Sequence, residues 1–398
     1  MRDLPDLPVA WPAQREFADS RGSTGYEALK SKLPSMAQGL PFAHRSYRDF
    51  SEFALLDDQD IDELTGGVPD AYFPVLMIAI AGIYYERGDF ERAESKRKAA
   101  LDKTDRDAPK EFGLCSMLLA AEISYAKNRA RDGARWLMDA EEYLSSLGED
   151  PNSQFLAHNT RALRARRSFK QGDNAEARNW IRQYGVSPFD QIAFCDSFIH
   201  FTTARALLCV SEPEQAFLLL EKLRTQAVRH DRPLDIIEAN ILASVAHNVC
   251  DYTELAREAM AEALRVAQKY GFTTMFTAEA RSIHGILSEL SQQVAMGRYA
   301  GSIDAEFLQR LCMYARDKVG SNQGQKLCDR GPSVKLTERQ IMAAEMLAKG
   351  YSYSSIADAL CIKHSTAKSY MRELYNKLGV FNIDEALDRL YEMRFINE

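Results

Sequence analysis

The segment DYTELAREAMAEAL (251–264) decides the fold. A turn residue opens it, and Leu255, Ala259, Ala263, Leu264 and Val266 follow at three- and four-residue intervals, the period of one helix face. Leu218, Leu219 and Leu223 behave likewise in SEPEQAFLLLEKL (211–223), and the same plan is visible in GDFERAESKRKAAL (88–101), RDGARWLMDAEEYL (131–144) and GDNAEARNWI (172–181). An alanine sits early in each helix, at 93, 134, 177, 216 and 256, giving steps of 41, 43, 39 and 40 residues. Such a step holds two helices and two turns, and the small residue lets neighbouring helices approach closely. One antiparallel pair cannot bury both of its apolar stripes, whereas stacked pairs can. The spacing predicts an all-α chain whose residues 71–318 form a TPR-like α-solenoid of about five repeats, with two last elements near 276–296 and 304–318. Nothing in that span alternates as a strand would.

The flanks differ in character. Residues 1–70 carry prolines at 5, 8, 12, 34, 41 and 69, and are expected to be irregular or to form short helices lying against the array. GSNQGQKLCDRGPSVK (320–335) is rich in glycine and polar residues and reads as a linker over 319–334. A separate domain of four short helices is expected over 335–398.

A chain of 398 residues exceeds one hydrophobic core, in keeping with two units. Its hydrophobic fraction of 46% and charged fraction of 27% are those of an ordinary globular protein. The longest apolar run, PVLMIAIAGIYY (74–85), is too short to span a membrane, and the N-terminus lacks the basic-then-apolar order of a secretory signal. A cytoplasmic location is therefore expected, nucleoid-associated when DNA is bound. A net charge of −7 excludes a protein that coats nucleic acid along its length but leaves room for a local basic surface. Cysteines 115, 195, 209, 250, 312, 328 and 361 form no CxxC pair and are expected to be free, small core residues. The histidines never fall in an HxxxH pair beside an acid, so no metal and no cofactor is expected. The chain has no Gly-Lys dipeptide and hence no phosphate-binding loop of the GxxxxGK[ST] type, so ATP-driven switching is not expected.

The chemistry is concentrated in LTERQIMAAEMLAKGYSYSSIADALCIKHSTAKSYMRELYNKLGV (336–380). Thr337 with Gln340 suggests a capping box, Gly350 a helix stop, and Ser352 or Ser354 the cap of a second helix. In the third helix, from about Ser365 to Leu378, a 100° step places Ala367, Met371, Leu374 and Leu378 in one buried stripe. Ser365, Ser369, Arg372 and Asn376 lie opposite, with Lys368 on the flank. Lys363, Lys368, Arg372 and Lys377 face one acid, Glu373, giving a local balance of +3 suited to phosphate attraction. Periodicity and charge alone fit a base-reading helix and a merely solvated basic face equally well.

LTxR at 336–339, Gly350 with Ser352, Ile356-Ala357, Leu360, Ile362, Thr366 with Lys368, and KLGV at 377–380 together resemble the LuxR-type helix-turn-helix over about 60 residues. The resemblance implies base contacts by Lys368, Ser369 and Arg372 and phosphate contacts by Thr366 and Lys377, with Ser365 and Lys363 beside them. It also implies a dimer contact through the fourth helix (383–395). The chain departs from that pattern at Gln340, Ser355, Ala367 and Tyr370, which concerns internal hydrogen bonds and packing more than the outward face. Residues 210–315, with HDRPLD (230–235) and GFTTMFTAEA (271–280), are similar to the sensor array of MalT-like regulators, here without an ATP-binding module.

The expected function is a DNA-binding transcription regulator, not an enzyme. Its helical array would sense a small-molecule or protein effector and control operator binding, with double-stranded DNA as partner and a homodimer on the operator. RALRARRSFK (161–170) offers Arg161, Arg164 and Arg167 as candidates for an anionic effector, although such a run is more often a solvated or inter-repeat face. The rival readings are a TPR-type interaction scaffold with a C-terminal assembly domain, and an enzyme using an unrecognised pocket in the array.

Overall fold

A computed structural model describes residues 58–67, 73–102, 111–146, 151–186, 192, 196–229, 232–299, 301–320, 338–360, 362–378, 380 and 382–392. They divide between two compact units, one ending at Asp329 and one beginning at Arg330. In the first, α1 (Asp58–Gly67) precedes five helix pairs: α2 (Phe73–Arg87) with α3 (Phe90–Asp102), α4 (Glu111–Ala126) with α5 (Ala130–Ser146), α6 (Pro151–Lys170) with α7 (Asn174–Tyr184), α8 (Ser197–Cys209) with α9 (Pro213–Arg229), and α10 (Pro233–Val249) with α11 (Thr253–Tyr270). A short α12 (Thr274–Ala278) leads into a last pair, α13 (Ala280–Ala295) and α14 (Ala305–Gly320). The second unit holds α15 (Glu338–Ala348), α16 (Tyr353–Ala359), α17 (His364–Leu378) and α18 (Ile383–Glu392). No strand occurs among the described residues.

The five pairs share one turn. Gly88, Asn128, Gly172, Ser211 and Asp251 all adopt a left-handed backbone, with φ of 82°, 60°, 83°, 62° and 62°. The residue after each returns its N–H to a carbonyl five positions back: Asp89 to Tyr84, Arg129 to Ser124, Asp173 to Ser168, Glu212 to Leu207 and Tyr252 to His247. This is the Schellman closure, which satisfies orphaned helix carbonyls. The carbonyl of that same residue then accepts the N–H of a small residue four further on, at Ala93, Gly133, Ala177, Ala216 and Ala256.

That register corrects one expectation. In the second repeat the small residue is Gly133, not Ala134, which is exposed. A Cβ on Gly133 would meet the Tyr125 ring carbons at 2.8 Å, so the packed ring requires a glycine. Gly133→Ala should lower stability by about 1–3 kcal/mol through overpacking, read as a shift in the urea midpoint. An unchanged midpoint would mean that the Tyr125 ring swings clear at no cost. Leu218 and Leu255, expected on apolar stripes, are about half exposed, because Ala216, Leu219, Leu220 and Leu223, and Ala256, Met260 and Leu264, already fill the buried faces.

The first helix of a pair is buried on most sides, as in α8 from Phe198 through Leu208 and in α10 from Ile237 through Ala246. The second helices bury one face only, as α11 does with Ala256, Met260, Ala263, Leu264 and Ala267. First helices therefore form an inner layer and second helices an outer one. The inner layer also joins distant repeats. Thr274 Oγ1 donates to the Tyr85 carbonyl at 2.5 Å, Thr273 N to Glu86 at 2.7 Å and Thr273 Oγ1 to Arg87 at 3.1 Å. Arg87 Nε returns a bond to the Tyr270 carbonyl at 3.2 Å. The C-terminus of α2 is thus capped by the far end of the array, across 183–189 residues of sequence.

On the outer side of the first pair, α1 packs Ile61 inward, and its Asp58 accepts from Tyr84 Oη at 2.8 Å and Arg92 at 2.6 Å. Of the expected irregular segment, residues 1–57 lie outside the described residues, as does nearly all of the expected linker. Cys115 is buried, and Cys209, Cys250 and Cys312 are partly so; Cys195, Cys328 and Cys361 lie outside the described residues.

Candidate nucleic-acid interface

The C-terminal unit is built to hold α17 by one side. Gly350 ends α15 at φ +81°, with Tyr351 N bonded to the Met346 carbonyl. Ser352 caps α16, its hydroxyl accepting from Ser355 N at 3.2 Å. The turn into α17 is fixed by Ile362 N on the Ala357 carbonyl, and Lys363 receives the N–H groups of Thr366 and Ala367. Ala343, Ala344, Leu347, Ile356, Ala357, Ala386 and Leu390 then close around Ala367, Met371 and Leu374. Thr337 and the side chain of Leu378 lie outside the described residues.

The opposite side of α17 is polar. Lys363, Ser365, Lys368, Ser369 and Arg372 are exposed and Thr366 is half-buried. Lys377, the remaining expected contact, is in the helix, but its side chain lies outside the described residues. Of the departures from the family pattern, two are buried, one is half-buried and Ser355 is exposed. Buried Gln340 donates from Nε2 to Glu373 at 3.2 Å, Ser355 joins Ser352 hydroxyl to hydroxyl at 2.9 Å, Ala367 is buried and Tyr370 is half-buried. Glu373 is the one acid of α17, and this bond turns it toward α15.

In the array, the candidate arginines do not form one cluster. Arg161 is exposed, with Nη1 at 3.4 Å from Tyr184 Oη, and Arg164 is exposed and paired to Glu141 at 2.8 Å. Arg167 turns inward to Glu122 at 2.5 Å and lies over the Tyr125 ring. It belongs to a group of ions in the inner layer that sequence reasoning missed. Arg166 and Arg205 share Glu238 Oε1 at 2.8 and 3.0 Å, Arg205 also holds Glu279 at 2.5 Å, and Lys170 approaches Glu279 at 3.5 Å. Burial opposes the Glu279 carboxylate, but Arg205 and Lys170 more than offset it and hold its pKa below the ordinary range. A signal for this group was available: Glu122, Arg205 and Glu238 each interrupt a helix that is otherwise largely apolar. No group of three metal-ligating side chains occurs among the described residues, and no described helix is long and apolar enough to cross a membrane.

A helical array joined to a basic helix held by a small four-helix core defines a DNA-binding transcription regulator. Residues 334–390 match the model of the bacterial regulatory proteins of the luxR family, and residues 66–293, more than half of the chain, match the MalT-like TPR region. The chain belongs to the MalT-like TPR family and carries a luxR-family DNA-binding domain.

Proposed function

We propose that the helical array, over about residues 71–318, senses an effector and thereby controls how the C-terminal domain, from about 335, engages its operator. The observation that carries the reading is the two-sided α17, with Ala367, Met371 and Leu374 in the core and Lys368, Ser369 and Arg372 in solvent. A helix held in this way can enter a major groove, with Lys368, Ser369 and Arg372 reading base edges and Lys363, Ser365, Thr366 and Lys377 holding phosphates. One such helix binds weakly, so two copies act together on a two-fold related site, meeting through α18, where Ile383 is exposed beside buried Ala386. No catalytic step is assigned.

Lys368→Ala or Arg372→Ala should each weaken specific binding by about 1–3 kcal/mol while the fold persists, measured by fluorescence anisotropy on a selected operator. Selecting sites for the full chain from a random DNA pool supplies that operator and tests the reading itself. A two-fold related consensus is the expected result. No enrichment at low salt would overturn it in favour of an interaction scaffold.

A further inference from the structure

Lys170 is weakly paired within the inner layer. Its one carboxylate contact among the described residues is Glu279 Oε1 at 3.5 Å, an oxygen that Arg205 already holds at 2.5 Å. The ion pairs described around it join Arg166, Arg167, Lys170 and Arg205 to Glu122, Glu238 and Glu279, four cations and three anions, or +1. Arg167 lies one helical turn away on α6, and both side chains keep some exposure, 26% and 21%, while Glu122 and Glu279 are almost fully buried. Lys170 and Arg167 thus reach toward solvent, while Arg205 and the carboxylates are held within the protein.

We propose that Lys170 and Arg167 form an anion site, and that the effector of the array is a small molecule bearing a carboxylate or phosphate group that pairs with them. The proposal rests on the sensing role argued above. Its position gives the anion leverage. Glu279 lies between α12, which is bonded to the end of α2, and α13. Tyr85 donates to Glu122 at 3.3 Å through its hydroxyl and accepts from Thr274 at its carbonyl. An anion that draws Lys170 from Glu279 and Arg167 from Glu122 acts on both sides of the bond between α2 and α12.

The test is calorimetric titration of the full chain with sulfate, as a tetrahedral probe of constant charge, and with succinate, against sodium chloride at matched ionic strength. Binding of either probe is expected in wild type and in Arg178→Ala, an exposed site on α7. Lys170→Met should lose roughly ten-fold or more in affinity, and Lys170→Arg should restore most of it. Preference for sulfate or for succinate separates a phosphate from a carboxylate ligand. Equal affinity in wild type and Lys170→Met overturns the site.

Should Lys170→Met fail to fold, wild type alone decides. Burial pushes the Lys170 pKa down to about 8, so sulfate affinity should fall roughly ten-fold by about pH 9 as the ammonium loses its proton. The other charged groups facing it, Glu279, Arg205, Arg167 and Glu122, are carboxylates and guanidiniums, which ordinarily do not titrate in that window. A flat profile overturns the site. Operator affinity is measured separately: anion binding that leaves it unchanged removes the sensing role and leaves the site standing.

Discussion

Replacing Glu238 by alanine is expected to destabilise the helical array by about 3–5 kcal/mol, the cost of removing one partner from a buried ion pair. Glu238 is 1% exposed and its Oε1 is shared by Arg166, from α6, and Arg205, from α8. Without it, two guanidiniums from neighbouring repeats, only 7% and 10% exposed, are left beside each other. Arg205 keeps Glu279, and Arg166 keeps the Thr202 hydroxyl, the Phe198 carbonyl and the Phe198 ring face. Those contacts limit the loss without neutralising the charge. Glu238→Gln, which retains an acceptor, should cost less. Urea unfolding followed by circular dichroism checks both, and a loss below about 1 kcal/mol for the alanine variant would show that water reaches the site and solvates the arginines.

The second large effect is expected in α17. Leu374→Ala should cost about 2–5 kcal/mol, as cavities in tight cores do, against a total of roughly 3–10 kcal/mol for a unit of this size. Leu374 is fully buried among residues of all four C-terminal helices. The unit should then melt at a clearly lower denaturant concentration, and operator binding should weaken as the unfolded fraction grows, although no DNA contact has been touched. Arg372→Ala, two residues earlier, should leave the melting of the unit in place and weaken DNA binding alone. Proteolysis and DNA binding measured on both variants separate a core residue from a contact residue. Loss of the unit's fold in Arg372→Ala would contradict the exposed placement of that side chain.

The repeats were legible because each carries the same local signals. Gly88 and Gly172 announce their turns, and Ala93, Ala177, Ala216 and Ala256 fall where the helices cross. The second repeat misled by one residue because its turn uses Asn128, and the glycine that comes after it serves helix packing rather than chain reversal. Ser211 and Asp251 likewise take a backbone state that side chains disfavour, so their turns carry no glycine mark. In α17 the alternation of Ala367, Met371 and Leu374 with Lys368 and Arg372 could be read directly, since one helix sets both faces. The inner ions could not be paired from sequence. Glu122 meets Arg167, Arg205 meets Glu279 and Arg166 meets Glu238 only after 45, 74 and 72 residues have been folded between them. The split of Arg161, Arg164 and Arg167 has the same origin, because only the neighbouring helices decide which turn of α6 faces inward.

The bonds that Thr273 and Thr274 make to the end of α2 bear on how the protein unfolds. In an open stack each repeat is held only by its neighbours, so end repeats fray and stability is a sum along a line. Here the first pair has a neighbour at both ends, one in sequence and one across the chain. The first pair is therefore not a free place for melting to begin. The array should consequently lose its structure in a single cooperative transition, with hydrogen-exchange protection in α2 as high as in α10, rather than peeling from one side.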